Sequence, residues 1–192
     1  MNLLLIPGEG KDSNEQWLGD IEQKLLHHPN SPFQLQRHST RLSYAHWYHD
    51  DQEFDPQREL FQLRLKLDTY GSRYYFVFAK SAGSVLFLQA LADGAPKPVG
   101  AVFAGVPLPQ DPASSMYKQY DVGELLKRHT VPTVIIQNAD ERFRKPVHLC
   151  ASLAKWGATS CEVVVGTDPG HSYSVDTVVH HVLKQVETVM PR

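Results

Sequence analysis

Short apolar runs alternate along the chain with longer stretches in which apolar residues recur every three or four positions. Runs of the first kind are Leu3–Ile6, Tyr74–Phe78, Ala101–Ala104, Val131–Ile136 and Cys161–Val165. Near-continuous apolar runs of this length predict strands covered on both faces. A further strand is expected over Phe33–Arg37. Stretches of the second kind carry Trp17, Leu18, Ile21 and Leu25; then Leu60, Leu63, Leu67 and Tyr70; and, near the end, Val178, Val179, Val182, Leu183, Val186 and Val189. These spacings predict amphipathic helices. Gly83–Leu91 is apolar nearly all round and predicts a buried helix; Pro146–Trp156 predicts another.

Local punctuation agrees. Ser13 and Asn14 stand where a helix cap is needed, Pro56 suits a first helical position, and Asp121 with Glu124 has capping-box spacing. The stretch Phe61–Leu67 also alternates like a strand. Helix is preferred, because two parallel strands need a crossover of that length. Strand, loop, helix, repeated, predicts an α/β fold with a mostly parallel sheet.

With 192 residues the chain fits one domain. A chain of this length buries roughly 70% of its unfolded surface, enough for a core without metal or disulfide. Lys and Arg number 19 against 21 Asp and Glu, a net charge of −2. That balance argues against a nucleic-acid partner or a membrane surface. Leu3–Ile6 is too short for a signal-peptide core. The expected address is therefore the cytoplasm, with Cys150 and Cys161 reduced and buried.

The most informative residues are Ala79-Lys80-Ser81-Ala82-Gly83, set between a strand and a buried helix. A serine in so tight a turn needs small residues two before and two after it, here Ala79 and Gly83. The turn lifts the hydroxyl above the sheet and leaves the Ala82 N–H free for an oxyanion. The plain alternative is a strand-to-helix turn with a capping serine. Candidate partners lie at later strand ends. Asp140 follows Val131–Gln137, and His171 follows Cys161–Val165 and Gly170. Catalytic groups in open α/β sheets gather at the carboxyl ends of strands. Asp140 is the preferred acid, with Glu141 and Asp168 as rivals. The plain alternative for His171 is an ordinary loop histidine.

Together these residues resemble the α/β-hydrolase superfamily, in particular its small retinoblastoma-binding-protein-type serine hydrolases. The resemblance rests on Leu3-Leu4-Leu5-Ile6-Pro7-Gly8-Glu9-Gly10 with Trp17, on Trp47 with Asp55-Pro56, on the Ser81 turn, on Asp140 and on Gly170-His171. It implies a minimal member that begins at the third strand of larger ones, with six parallel strands in the order 2-1-3-4-5-6. It implies Ser81 as nucleophile, His171 as base and Asp140 as the acid that orients it. It also implies the backbone N–H of Glu9 as second oxyanion donor beside Ala82. The sequence departs from the family at Ala79, where Gly is commoner, and at Lys80. Lys80 would place a cation beside the site, favouring an anionic substrate or, the preferred reading, pointing to solvent.

Other chemistry is weaker. Gly8-Glu9-Gly10-Lys11-Asp12-Ser13 lacks the spacing of a phosphate-binding loop. His46, His49, Asp50 and Asp51 fit a solvated loop better than a metal site, so neither metal nor cofactor is expected. Residues 107–129 would form a small lid, in which Met116, Tyr117 and Tyr120 either line a substrate pocket or pack on the surface. The expected function is hydrolysis of a small ester, thioester or amide through an acyl-enzyme. The alternatives are a degenerate hydrolase fold that binds a ligand or protein and, more weakly, a nucleotide-binding protein.

Overall fold

Each apolar run forms a strand. In the computed structural model, which describes residues 1–33, 39–49, 51–71, 73–108 and 119–190, the elements in chain order are β1 (Asn2–Ile6), α1 (Glu15–His27), β2 (Ser39–Arg41), α2 (Pro56–Asp68), β3 (Tyr75–Lys80), α3 (Ala82–Ala92), β4 (Gly100–Ala104), α4 (Val122–Arg128), β5 (Thr133–Asn138), α5 (Pro146–Trp156), β6 (Cys161–Gly166) and α6 (Val175–Val189). The six strands form one sheet in the order β2-β1-β3-β4-β5-β6, and every neighbouring pair is parallel.

Alternation along each strand divides the core in two. Leu4, Ile6, Tyr75, Val77, Ala79, Ala101, Phe103 and Ile135 face the cluster that includes residues of α2, α3, α4 and α5. Leu3, Leu5, Phe76, Phe78, Val102, Ala104, Val134 and Ile136 face the cluster built on α1 and α6. The central strands β1, β3, β4 and β5 are buried throughout, which is why they carry no polar alternation. The ambiguous segment 61–67 is helical. Its apolar Leu63 and Leu67 pack inward, while Phe61 and Leu65 stay exposed.

Three expectations need correction. The second strand lies at Ser39–Arg41 rather than 33–37. Phe33 is a buried residue outside any strand, and 34–37 fall outside the described residues. Asn14 sits at the α1 N-cap position but makes no capping bond, because its side chain is spent on the loop after β1. Both cysteines are free, but neither is buried: Cys150 is exposed and Cys161 partly so. Asp55 and Asp121 do cap α2 and α4 with their side chains. Among the described residues no helix is long and apolar enough to cross a membrane.

His129, between α4 and β5, is buried as the neutral ring. Its Nε2–H donates to Thr133 Oγ1 (2.7 Å), whose own hydroxyl donates to Val131 O (2.9 Å). Its Nδ1 is buried without a partner. Burial, helped by the Lys97 charge, pushes its pKa down to about 4. Between the ordinary histidine range and that value the unfolded chain binds a proton that the folded one refuses, so stability falls as pH falls. Urea midpoints measured from pH 7 to pH 4.5 are expected to drop steeply for the wild type and less steeply for His129→Gln.

Candidate active site

Ser81 occupies the turn between β3 and α3 with φ 48° and ψ −119°, the only positive φ at a non-glycine residue among those described. Such a conformation costs about 1–3 kcal/mol and survives only where its surroundings enforce it. They do so here. The Ser81 N–H donates to Ala104 O (2.9 Å) on β4, and the Ser84 N–H and hydroxyl both donate to Ser81 O (3.0 and 2.6 Å). Gly83 lets α3 begin hard against β1. A Cβ there would stand 2.4 Å from Pro7 O and 2.7 Å from Ile6 Cγ2. The Ala82 N–H lies in the first turn of α3, where N–H groups have no intrahelical acceptor.

The loop after β1 lies over the serine. A Cβ on Gly8 would touch Ser81 Cβ at 3.5 Å. Its backbone is fastened at four points. Tyr44 donates its hydroxyl to Pro7 O (2.8 Å), and the Gly8 N–H donates to Asn14 Oδ1 (3.0 Å). Asn14 Nδ2 donates to Gly10 O. The Glu9 carbonyl accepts both Trp47 Nε1–H (2.7 Å) and His46 Nε2–H (3.0 Å). His46, weighed above as a metal ligand, is thus a loop fastener. Among the described residues no group of three or more His, Cys, Asp or Glu side chains could hold a metal ion.

His171 arrives beside this turn from the loop after β6. Gly105 directly follows Ala104, whose carbonyl holds the Ser81 N–H, and its Cα lies against the imidazole. A Cβ there would meet His171 Cε1 at 2.4 Å and Nδ1 at 2.7 Å. The loop is gripped from the end of β5. Asn138 Nδ2 donates to Gly170 O (2.9 Å) and Ser172 O (2.6 Å), the carbonyls on either side of His171.

The acid on His171 is Glu141, not Asp140. His171 Nδ1 donates to Glu141 Oε2 (2.8 Å), which also accepts the Tyr173 hydroxyl (2.6 Å). Asp140, the expected acid, accepts the Gly170 N–H instead (2.8 Å) and so steadies the histidine loop. The tight turn in which Glu141 N–H donates to Asn138 O (3.1 Å) swings the two neighbouring carboxylates apart. Asp168, the other rival, accepts the Ser174 N–H (2.8 Å). Burial pushes the Glu141 carboxyl up. The hydrogen bonds from His171, Tyr173 and the Phe143 N–H outweigh this and hold it below the ordinary carboxylate value. An ionised Glu141 fixes the Nδ1–H tautomer and leaves the Nε2 lone pair free to accept a proton.

The remaining expected site residues divide. Lys80 does not point to solvent: it is 6% exposed, and its ammonium lies 4.7 Å from the centre of the Trp17 ring. Its side chain follows the parity of Phe76 and Phe78 into the α1–α6 side. Tyr120 is half-buried and packs on the α2–α5 cluster. Met116 and Tyr117 lie outside the described residues, as do positions 109–118 of the expected lid, whose C-terminal part is the helix α4.

No protein-family model matches the chain. No curated protein matches it in sequence. Solved structures do match along nearly its whole length. A YdeN-like protein from Pectobacterium atrosepticum is 15% identical over 99% of this chain and 92% of its own, with a TM-score of 0.69. MGS-M2, an α/β-hydrolase enzyme from a Medee basin deep-sea metagenome library, is 12% identical over 99% and 90%, with a TM-score of 0.67. A lipase-esterase related protein from Clostridium acetobutylicum is 13% identical over 98% and 94%, with a TM-score of 0.65. The fold is that of the α/β hydrolases. In this α/β-hydrolase fold Ser81, His171 and Glu141 stand at the carboxyl ends of, or on the loops after, β3, β6 and β5.

The bond from His171 to Glu141 has a spectroscopic signature. The His171 Nδ1 proton should give a slowly exchanging downfield proton NMR signal in the wild type and in Asp140→Asn, and Glu141→Gln should remove or strongly shift it. Loss of the signal in Asp140→Asn alone would reassign the acid.

Proposed function

We propose that this protein is a serine hydrolase that cleaves a small ester, thioester or amide through an acyl-enzyme. The observation that carries the reading is the 2.8 Å bond from His171 Nδ1 to a buried carboxylate, on an imidazole packed against the residue next to the serine turn. A loop histidine with no chemical task has no need of an ionised acid kept from water. That similarly folded proteins include an α/β-hydrolase enzyme and a lipase-esterase related protein supports the same chemistry. So does the resemblance of the Ser81 turn to that of small serine hydrolases.

On this reading Ser81 Oγ attacks the substrate carbonyl while His171 Nε2 takes its proton. Charge develops on the former carbonyl oxygen, which the N–H groups of Ala82 and Glu9 receive. The tetrahedral intermediate collapses as the imidazolium passes its proton to the leaving group. Water, deprotonated by the same imidazole, then attacks the acyl carbonyl and releases the acid and Ser81. Glu141 keeps its charge throughout and stabilises the imidazolium. Trp47 and His46 act through the Glu9 carbonyl to keep its peptide in place, and are positioning residues.

A fluorophosphonate probe tests this directly. Folded wild type should be labelled once, at Ser81, and Ser81→Ala not at all. Glu141→Gln should slow labelling by about 10³-fold or more, and Asp140→Asn by only a few-fold. Correctly folded wild type that resists the probe would sink the proposal and leave a ligand-binding member of the fold. Trp47→Phe keeps an aromatic ring but removes a donor from Glu9 O. It should lower ester kcat by about ten- to a hundredfold with KM little changed.

A further inference from the structure

Lys80 is the one feature of the serine turn that the hydrolase reading leaves unused. It continues the Phe76, Phe78 face of β3, where the rest of the strand is apolar. An ammonium taken out of water is costly unless something compensates it. Among the described residues no carboxylate pairs with its amine and no acceptor hydrogen-bonds it; the face of Trp17 lies 4.7 Å away, and the amine itself is not closed off from solvent. The charged groups that act on it through space are Glu141 and Arg142, of opposite sign. Glu141 is not free to pair with it: Oε2 already accepts His171 and Tyr173, and Oε1 accepts the Phe143 N–H (3.3 Å). Burial pushes the Lys80 amine down to about 8, which still leaves it mostly charged at neutral pH.

Position says which part of a substrate would meet it. Trp17 Nε1 donates to Tyr173 O (2.7 Å), two residues beyond His171. The Trp17–Lys80 pair therefore stands on the side of the sheet from which the histidine loop comes. His171 is the group that hands a proton to the leaving group. Arg142 stacks on Phe143 (4.7 Å), whose ring meets His171 edge-on with centroids 4.8 Å apart. Cations thus flank the histidine by way of Trp17 on one hand and Phe143 on the other.

We propose that Lys80 anchors an anion subsite on the leaving-group side of the candidate active site, selecting substrates whose leaving group carries a carboxylate. The inference rests on the hydrolase reading and adds its substrate class. The reaction is ordinary ester hydrolysis. The Ser81 Oγ–acyl bond forms, the ester C–O bond breaks, and the leaving oxygen departs with the proton from His171, its carboxylate held by Lys80. Water then supplies the hydroxyl of the released acid.

The test compares 4-acetoxybenzoate with its neutral methyl ester on the wild type, Lys80→Met and Lys80→Arg. The wild type should favour the anionic ester in kcat/KM by about tenfold or more. Lys80→Met should bring the ratio near one, and Lys80→Arg should retain most of the preference. A ratio equal in wild type and Lys80→Met overturns the subsite while leaving the hydrolase standing. Calorimetric titration with 4-hydroxybenzoate needs no turnover. Binding to wild type and not to Lys80→Met, in a protein that resists the fluorophosphonate, keeps the subsite and discards the hydrolase. No binding of that carboxylate to wild type, together with no preference for the anionic ester, overturns the subsite. If Lys80→Met does not fold, Lys80→Gln replaces it in both measurements.

Discussion

Glu141 is a carboxylate inside the protein that remains an ion. Its side chain is closed to solvent, and its charge is met by three donors: the His171 imidazole, the Tyr173 hydroxyl and the Phe143 amide. Hydrogen bonds to a charged group are the strong ones, and a buried charge that lost them would be heavily penalised. The bond to His171 therefore fixes ring orientation and tautomer together. It also dictates what the rest of the site must supply. The histidine loop has to come down onto β5, the turn after β5 has to expose one acid and bury the next, and the serine turn has to lie alongside.

Those demands are met by close approach of backbone. Gly83 lets α3 start against the Pro7 carbonyl, Gly105 makes room for the imidazole, and Gly166 makes room for Asn138, whose Oδ1 would stand 2.1 Å from a Cβ there. Each side chain omitted lets two loops from different strands share one small space. Interiors are packed too densely to absorb an extra methyl at such points without displacing a neighbour. The same economy explains the apolar character of β1, β3, β4 and β5. Their faces are consumed by two helical layers, so the residues of the candidate site gather at the carboxyl ends of the strands and on the loops that leave them.

Much of this was legible in the order of residues. Strand and helix identity followed from periodicity, because covering both faces of a parallel sheet demands apolar runs. The Ser81 turn was legible because its geometry forbids bulk at Ala79 and Gly83. His171 was legible because it follows the last strand. Less regular segments misled. The β2 expectation was misplaced because Phe33 is buried by packing on Phe76 rather than by lying in a strand. By sequence Lys80 is solvent-facing, as lysine usually is. Only the proximity of Trp17, sixty-three positions earlier in the chain, shows otherwise.

What the sequence determined by itself was the set of elements, their parallel arrangement and the neighbourhood of the site. All of these rest on local rules of periodicity, turn geometry and side-chain size. What only the tertiary structure decided was which of two adjacent acids meets the histidine. A single turn, closed by the Glu141 N–H on Asn138 O, sends Asp140 to the Gly170 amide and Glu141 to the imidazole. Side chains one residue apart share every local signal, and they are told apart only by what the chain brings up to each of them from thirty residues away.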